Sequence, residues 1–341
     1  MSPRTALAAA TRGDLVYTLR SATPGILVAA TIAMAATFLS EHYGGPVMLF
    51  ALLLGMAFHF LSVEGRCVAG IDLAAKQILR IGVALLGARI TAEQIMALGP
   101  TPVLTVIAGV LLTLGLGVLV ARILKLDRAV GVLTGGAVAI CGASAALAIA
   151  AVLPRGANAE RDTIFTVIGV TTLSTLAMIL YPIIVGLFGL DHQAAGIFLG
   201  GTIHDVAQVV GAGYSVSQET GDIATFTKLM RVAMLVPVVV TLSLLFRPGE
   251  GVRPRGGLPL PWFLVVFAIL VLVNSLHLIP SPVIVAANDV SRWCLVTAIA
   301  ALGMKTSLKA MAQVGPKPVL LLVSETLFLA LLVLGVVTYV Y

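Results

Sequence analysis

Apolar residues fall along this chain in long blocks, with neither the alternation of strands nor the one-sided stripe of a soluble helix. About eleven blocks can be read, at roughly 23–40, 45–62, 70–88, 100–121, 130–152, 162–188, 194–214, 223–246, 262–278, 283–304 and 317–340. Each approaches the ~20 residues a helix needs to cross a bilayer. Sustained apolarity of that length predicts helices rather than strands. The connections are short and carry Gly, Pro or charge, notably at 122–128, 154–162, 247–261 and 305–317. The pattern predicts an all-α polytopic membrane protein with about eleven transmembrane helices.

Composition supports this and removes other classes. Hydrophobic residues make up 59% and charged residues 11%, against about 25% charged in soluble domains. Mean hydropathy is +1.09. The net charge of +6 comes with no basic face interleaved with aromatics, so nucleic acid is not expected as a partner. Cys67, Cys141 and Cys294 lie far apart and show neither metal spacing nor a disulfide framework. Arg4, Arg12 and Arg20 precede the first block, which reads as a retained helix after a cytoplasmic segment 1–22.

Loop charges set the orientation. With the N-terminus inside and every block crossing, the inside holds Arg4, Arg12, Arg20, Arg66, Arg122, Lys125, Arg128, Arg247, Arg253, Arg255, Lys305, Lys309 and Lys317. The outside holds Arg89, Arg155 and Arg161. Positive charge collects on the cytoplasmic side, so the expectation is N-inside and C-outside. Re-entrance of the fifth or the seventh block would flip everything after it, against the loop charges of the last third.

An internal repeat is legible. Shifting the chain by 216 residues lays Leu86–Gly87 on Leu302–Gly303, Arg89 on Lys305, Gly99–Pro100 on Gly315–Pro316 and Pro102 on Pro318. Shorter similarities join Gly135–Gly136 to Gly200–Gly201, and Leu180–Ile183 to Leu235–Val238. Related segments facing opposite ways mark inverted-repeat transporters. The first match spans seven blocks and would be inverted. The second spans two and would not be, a conflict that stays open at the level of sequence.

The seventh block carries chemistry that an apolar helix does not need. Residues 199–213 read LGGTIHDVAQVVGAG, with Gly200, Gly201, Thr202, His204, Asp205 and Gln208. An ionisable side chain at the centre of a membrane helix costs about 2.5–3.5 kcal/mol on insertion scales. The functional reading is a binding site on a broken membrane helix; the bland one is polar glue between helices. His204 and Gln208 share a helix face. His204 titrates near neutrality when unperturbed and could carry a coupling proton. His204 and Asp205 point about 100° apart on a helix, so a metal site is not expected. The fifth block holds Thr134, Gly135, Gly136, Cys141, Gly142 and Ser144. An interruption there would present backbone N–H groups at a positive dipole end, which suits an anion, with Ser144 and Thr134 as hydroxyl donors. Cys141 reads as a small packing residue. Lys228 and Arg231, three apart, either snorkel or face the interior and pair with Asp205 or an anionic substrate. Pro182 and Pro237 should kink their helices.

The stretches GGAVAICGASAALAIAAVLP, LGGTIHDVAQVVGAG and TFTKLMRVAMLVPVVV, in this order and spacing, resemble the YeiH family of UPF0324-type bacterial inner-membrane proteins, also called the putative sulfate exporter family. The resemblance runs from about Thr23 to the end. It implies a fold similar to the bile acid, arsenite and riboflavin transporter superfamily. One transmembrane domain, 23–341, would then divide into panel helices (about 23–88 and 262–304) and core helices (about 100–246 and 317–340) with broken, crossing segments. It also implies export of sulfate, sulfite or a sulfonate. The reading is a secondary transporter of a small anion coupled to H+ or Na+, without a cofactor, embedded in lipid; a homodimer is left open. A membrane enzyme using His204 and Asp205 would need a nucleophile, and only Ser144 or Cys141 offers one, without a base at a suitable spacing. A channel or purely structural subunit is the third class, and the repeat favours the transporter over both.

Overall fold

The computed structural model describes residues 3–154, 158–246, 261–306 and 316–340, with side chains from Ser21 onward. Arg155, Arg247, Arg253, Arg255, Lys309 and Gly315 lie outside the described residues, as do the side chains of Arg4, Arg12 and Arg20. Regular structure among the described residues is helical. In chain order the helices are α1 (Pro3–Tyr43), α2 (Val47–Ala57), α3 (Val68–Leu73), α4 (Leu79–Leu86), α5 (Ala92–Ala97), α6 (Thr101–Ile123), α7 (Arg128–Ala139), α8 (Ala143–Ala150), α9 (Ala159–Phe188), α10 (His192–Thr202), α11 (Val206–Val216), α12 (Gln218–Ala233), α13 (Leu235–Leu245), α14 (Trp262–Ser275), α15 (Ser281–Lys305) and α16 (Pro316–Val340). Between α3 and α4 the backbone widens into a π-helical turn, Ala74–Ile78.

Six stretches are long and apolar enough to cross a membrane: Ser21–Tyr43, Thr101–Ile123, Ala159–Phe188, Gln218–Leu245, Ser281–Lys305 and Pro316–Val340. This is a multi-pass membrane protein. The fourth stretch joins α12 and α13 across Met234, three residues before Pro237. Proline has no N–H to give to the preceding turn, which accounts for the interruption there. α9 runs through Pro182 as one helix. Local signals set several starts. Asp191 caps α10 by accepting from Ala194 N at 2.7 Å, Ser217 caps α12 through Thr220 N at 3.0 Å, and Thr91 and Gln94 form a capping box on α5.

The chain divides into two compact units, one of residues 1–82 and 289–306, the other of 83–288 and 307–341. In the first, α1 packs on α2 and α3. Gly25 and Gly70 let α1 and α3 meet backbone to backbone: a Cβ on Gly70 would lie 2.7 Å from Cα of Gly25. Such bare contacts are how membrane helices gain van der Waals packing. Asp72 joins Lys305 in an ion pair.

The 216-residue repeat maps helix onto helix. Shifted by 216, α2 covers 263–273 within α14, the α3–α4 stretch covers 284–302 within α15, and α6 covers 317–339 within α16. Shifted by 65, the offset that lays Gly135–Gly136 on Gly200–Gly201, α7 and α8 fall on 193–204 and 208–215, along α10 and α11.

The second unit corrects one expectation. The fifth and seventh blocks are each interrupted, and at each interruption the chain reverses instead of running on in one direction. A straight helix would hold Gly136 and Ile149 about 20 Å apart at 1.5 Å per residue. Instead, a Cβ added to Gly136 would run into Cδ1 of Ile149. α7 and α8 are therefore the arms of a hairpin. The turn is made at Gly142, with φ +65° and ψ −127°, a conformation that only glycine adopts without strain, and Gly142 N closes it on Ala137 O at 2.8 Å. α10 and α11 do the same. His192 Nδ1, at the start of α10, lies 3.1 Å from Oγ of Ser217, just past the end of α11. Gly196 of α10 and Gly213 of α11 both rest on Ala224 of α12, at 3.2 and 3.1 Å for an added Cβ.

Candidate functional site

The two hairpin tips meet. A Cβ on Gly142 would stand 3.6 Å from Cβ of His204, so the Ile140–Ser144 turn of one hairpin abuts the Ile203–Asp205 turn of the other. The two polar stretches singled out in the sequence are brought together.

Lys228 and Arg231, on α12, are 0% and 1% exposed. They do not snorkel. Lys228 Nζ donates to Ile140 O at 2.7 Å and Ile203 O at 3.0 Å. Arg231 donates through Nε to Ala139 O at 2.9 Å and through Nη2 to Val138 O at 2.8 Å. Its Nη1 donates to Gly200 O and Ile203 O, each at 3.2 Å. These carbonyls close α7 and α10. The last carbonyls of a helix have no partner within it, and the C-terminus carries about −0.5 of a charge. Two such ends therefore offset about one of the two cations. The Asp205 carboxylate lies beside them, and the starts of α8 and α11 at the same tips each add about +0.5, so the junction keeps about one net positive charge when Asp205 is ionised. Both residues face the protein interior, the second of the two readings of the sequence, and their hydrogen bonds run to the hairpin ends.

Asp205 caps α11, accepting at Oδ1 from Ala207 N at 2.9 Å, and its own N–H donates to Ser174 Oγ on α9 at 3.0 Å. His204 is fully buried, and its Nε2 lies 3.0 Å from Thr326 Oγ1 on α16. Gln208 does not fix the imidazole, as its spacing suggested. Its Nε2 donates to Thr175 Oγ1 on α9 at 2.8 Å, because Val206 begins a new helix and the face shared with His204 ends at the turn. Gln208 Oε1 is buried without a hydrogen-bond partner among the described residues.

The remaining sequence candidates divide by role. Gly135 brings α7 onto α6, an added Cβ lying 3.0 Å from Thr113 O. Gly136 receives Ile149, Gly200 admits Thr227 of α12, and Gly201 rests on Val333 of α16 at 3.1 Å for an added Cβ. Thr202 bonds back to Phe198 O at 2.5 Å. Cys141 is buried as a small packing residue, whereas Ser144, in the first turn of α8, is exposed. Gly142 offers that turn no side-chain cap. Thr134 turns away from the tips and meets Glu325 Oε1 on α16 at 2.7 Å.

Sequence reasoning missed Glu325, Thr326, Ser174 and Thr175. Glu325 had a signal, as a carboxylate within the 25-residue apolar helix α16. The hydroxyls had none, since a threonine bonding its own helix looks the same in sequence as one bonding a neighbour.

Similarity to known proteins runs along most of the chain. A family model described as "Conserved hypothetical protein 698" matches residues 24–322. A UPF0324 membrane protein of Chlorobaculum tepidum is 61% identical over 320 residues, 93% of this chain and 89% of that protein. One from Rhizobium meliloti is 55% identical over 93% of this chain and 92% of its own length. The UPF0324 membrane protein TauZ of Paracoccus denitrificans is 51% identical over 92% and 94%. No solved structure matches.

Proposed function

The chain belongs to the UPF0324 family of membrane proteins, and from that premise we propose that it is a secondary active transporter exporting a small anion of the sulfate, sulfite or sulfonate class from the bacterial cytoplasm, coupled to H+ or Na+. The observation that carries the reading is the pair of helical hairpins joined at their tips. Irregular backbone at membrane depth is tolerated where it is buried in protein or lines a cavity. Here it is joined by buried cations, a carboxylate and an imidazole, which mark ion pathways in membrane proteins.

Two re-entrant hairpins also remove the conflict over repeats. Nine segments then cross and two dip in. With the N-terminus inside, the α7–α8 hairpin enters from the cytoplasm and the α10–α11 hairpin from outside. Every repeated pair becomes inverted: α2 with α14, α6 with α16, and one hairpin with the other. The charge at 155–161 moves inside and leaves Arg89 as the outer basic loop residue, which sharpens the bias. Arg89 binds Asp222 and so holds the α4–α5 connection beside the start of α12, as this topology requires.

Lys228 and Arg231 are engaged by carbonyls, so the reading places the anion at the first turn of α8. Ala143 and Ser144 offer N–H groups at a positive helix end there, and Ser144 adds a hydroxyl. The start of α11 is less suited, because the Asp205 carboxylate already occupies it. A carboxylate beside the two buried cations suits a carrier, which must release its anion as well as bind it. The test is a thermal-shift screen of the purified protein against sulfate, sulfite and methanesulfonate, with and without sodium. A ligand that binds the folded form raises the melting temperature by mass action. A melting temperature indifferent to all three would reject the substrate class.

A further inference from the structure

The buried carboxyl of Glu325 stands apart from the rest of the site. It is 0% exposed, in the middle of α16. One oxygen lies 2.7 Å from Thr134 Oγ1, and the other has no hydrogen-bond partner among the described residues. The carboxyl rests on the bare Cα of Gly117: a Cβ there would come within 2.6 Å of Oε1.

The helices packed on α16 are α6, α7, α9 and α10. Most of their charged or titratable side chains lie at helix ends: Arg122 closes α6, Arg128 opens α7, Glu160, Arg161 and Asp162 open α9, and His192 opens α10; the exception is Tyr181, inside α9, whose ring packs on Phe198 of α10. On α16 itself Lys317 lies in the first turn. At the tips, Lys228 and Arg231 are bonded to carbonyls, Asp205 caps α11, and His204 is held by Thr326, next to Glu325 in sequence.

Hydrogen-bond accounting decides the protonation state. The Thr134 hydroxyl has a single proton to donate. Its two nearest acceptors are Val130 O at 3.0 Å and Glu325 Oε1 at 2.7 Å, with Gly131 O farther off at 3.5 Å. With Glu325 ionised, both compete for that proton and one contact becomes acceptor against acceptor. With Glu325 neutral, its O–H donates to Thr134 Oγ1 while Thr134 donates to Val130 O, and both contacts are satisfied. A neutral acid also leaves a carbonyl oxygen as the unpartnered atom, which costs far less in a dry interior than half of a carboxylate.

We infer that Glu325 is a proton-binding site, held in this state as a neutral carboxylic acid that donates to Thr134. Its role as the carrier of the coupling ion rests on the transporter reading. Glu325 touches the first hairpin through Thr134, and Thr326 touches the second through His204, so gain or loss of the proton is felt where both hairpins lean on α16.

The test is infrared difference spectroscopy of the full-length protein in lipid at neutral pH. The expected result is a carboxylic C=O band, shifted by exchange into D2O, lost in Glu325→Gln and kept in Asp205→Asn. Absence of the band, or its persistence in Glu325→Gln, overturns the inference. Should Glu325→Gln fail to fold, Thr134→Val serves instead. Removing the acceptor of the acid O–H moves the band to higher frequency, and an unmoved band overturns the inference. In proteoliposomes carrying a pH dye, an imposed sulfate gradient should drive proton movement that is lost in Glu325→Gln. Proton movement retained in that variant overturns the carrier role. A wild type that shows the band and carries labelled sulfate without protons overturns the carrier role, and one that carries none of labelled sulfate, sulfite or methanesulfonate defeats the transporter reading; in both cases the proton site stands.

Discussion

Gly142 and His204 belong to different hairpins, 62 positions apart in sequence, yet a Cβ on the first would stand 3.6 Å from Cβ of the second. At that point the two interruptions of the chain become one junction. Gly142 makes the contact in a backbone conformation outside the reach of other residues. Gly142→Ala should therefore lower stability by about 1–3 kcal/mol through backbone strain alone. Gly115→Ala is the control, because an added Cβ there has nothing within 4 Å. Thermal melts of the two variants in one detergent check this; equal melting temperatures would show that the turn does not need glycine.

The basic pair should behave as a structural clamp. Arg231→Lys keeps the charge and loses the planar fork that reaches both helix ends. Each buried carbonyl it abandons costs about 1–3 kcal/mol. Arg231→Met should be worse, since the charge at both C-termini goes too. Lys305→Met, which breaks a partly exposed ion pair, should cost about 1 kcal/mol or less. The ranking of melting temperatures, Lys305→Met above Arg231→Lys above Arg231→Met, is the readout.

Topology can be read by cysteine accessibility in a background lacking Cys67, Cys141 and Cys294. With two re-entrant hairpins, Asn158→Cys is labelled from the cytoplasmic face and Gly189→Cys from outside. If all blocks crossed, both would reverse, while Ser217→Cys is outside in either case and reports on vesicle orientation. A membrane-impermeant maleimide on right-side-out and everted vesicles separates the two arrangements.

Asp205 offers a way to separate cap from charge. Asn caps a helix about as well as Asp, whereas Ala loses about 1 kcal/mol. Asp205→Asn should fold like the wild type and leave the junction more positive, so sulfate should raise its melting temperature further than in the wild type. Asp205→Ala should melt lower without ligand. A smaller sulfate shift in Asp205→Asn would show that the carboxylate does not oppose the anion.

The sequence by itself determined the class of the molecule and the location of its polar centre. Blocks of about 20 apolar residues admit only membrane helices, and a carboxylate beside a histidine inside such a block demands compensation. The repeat at 216 residues was legible because it preserves Gly and Pro at helix ends. Whether an interrupted block crosses or turns back was not legible. Gly-Gly and Cys-Gly-Ala-Ser allow both outcomes, and the contact that decides, Ile149 on Gly136, depends on the path of the backbone. The partners of Lys228 and Arg231 were hidden for a related reason. They are backbone carbonyls, which every residue carries and no sequence pattern marks. Glu325 was visible as a residue but not as a site, since nothing in α16 foretells Thr134 of α7. Tertiary structure decided these points because a buried polar group must find a partner, and which group comes within 3 Å is set by how the helices pack.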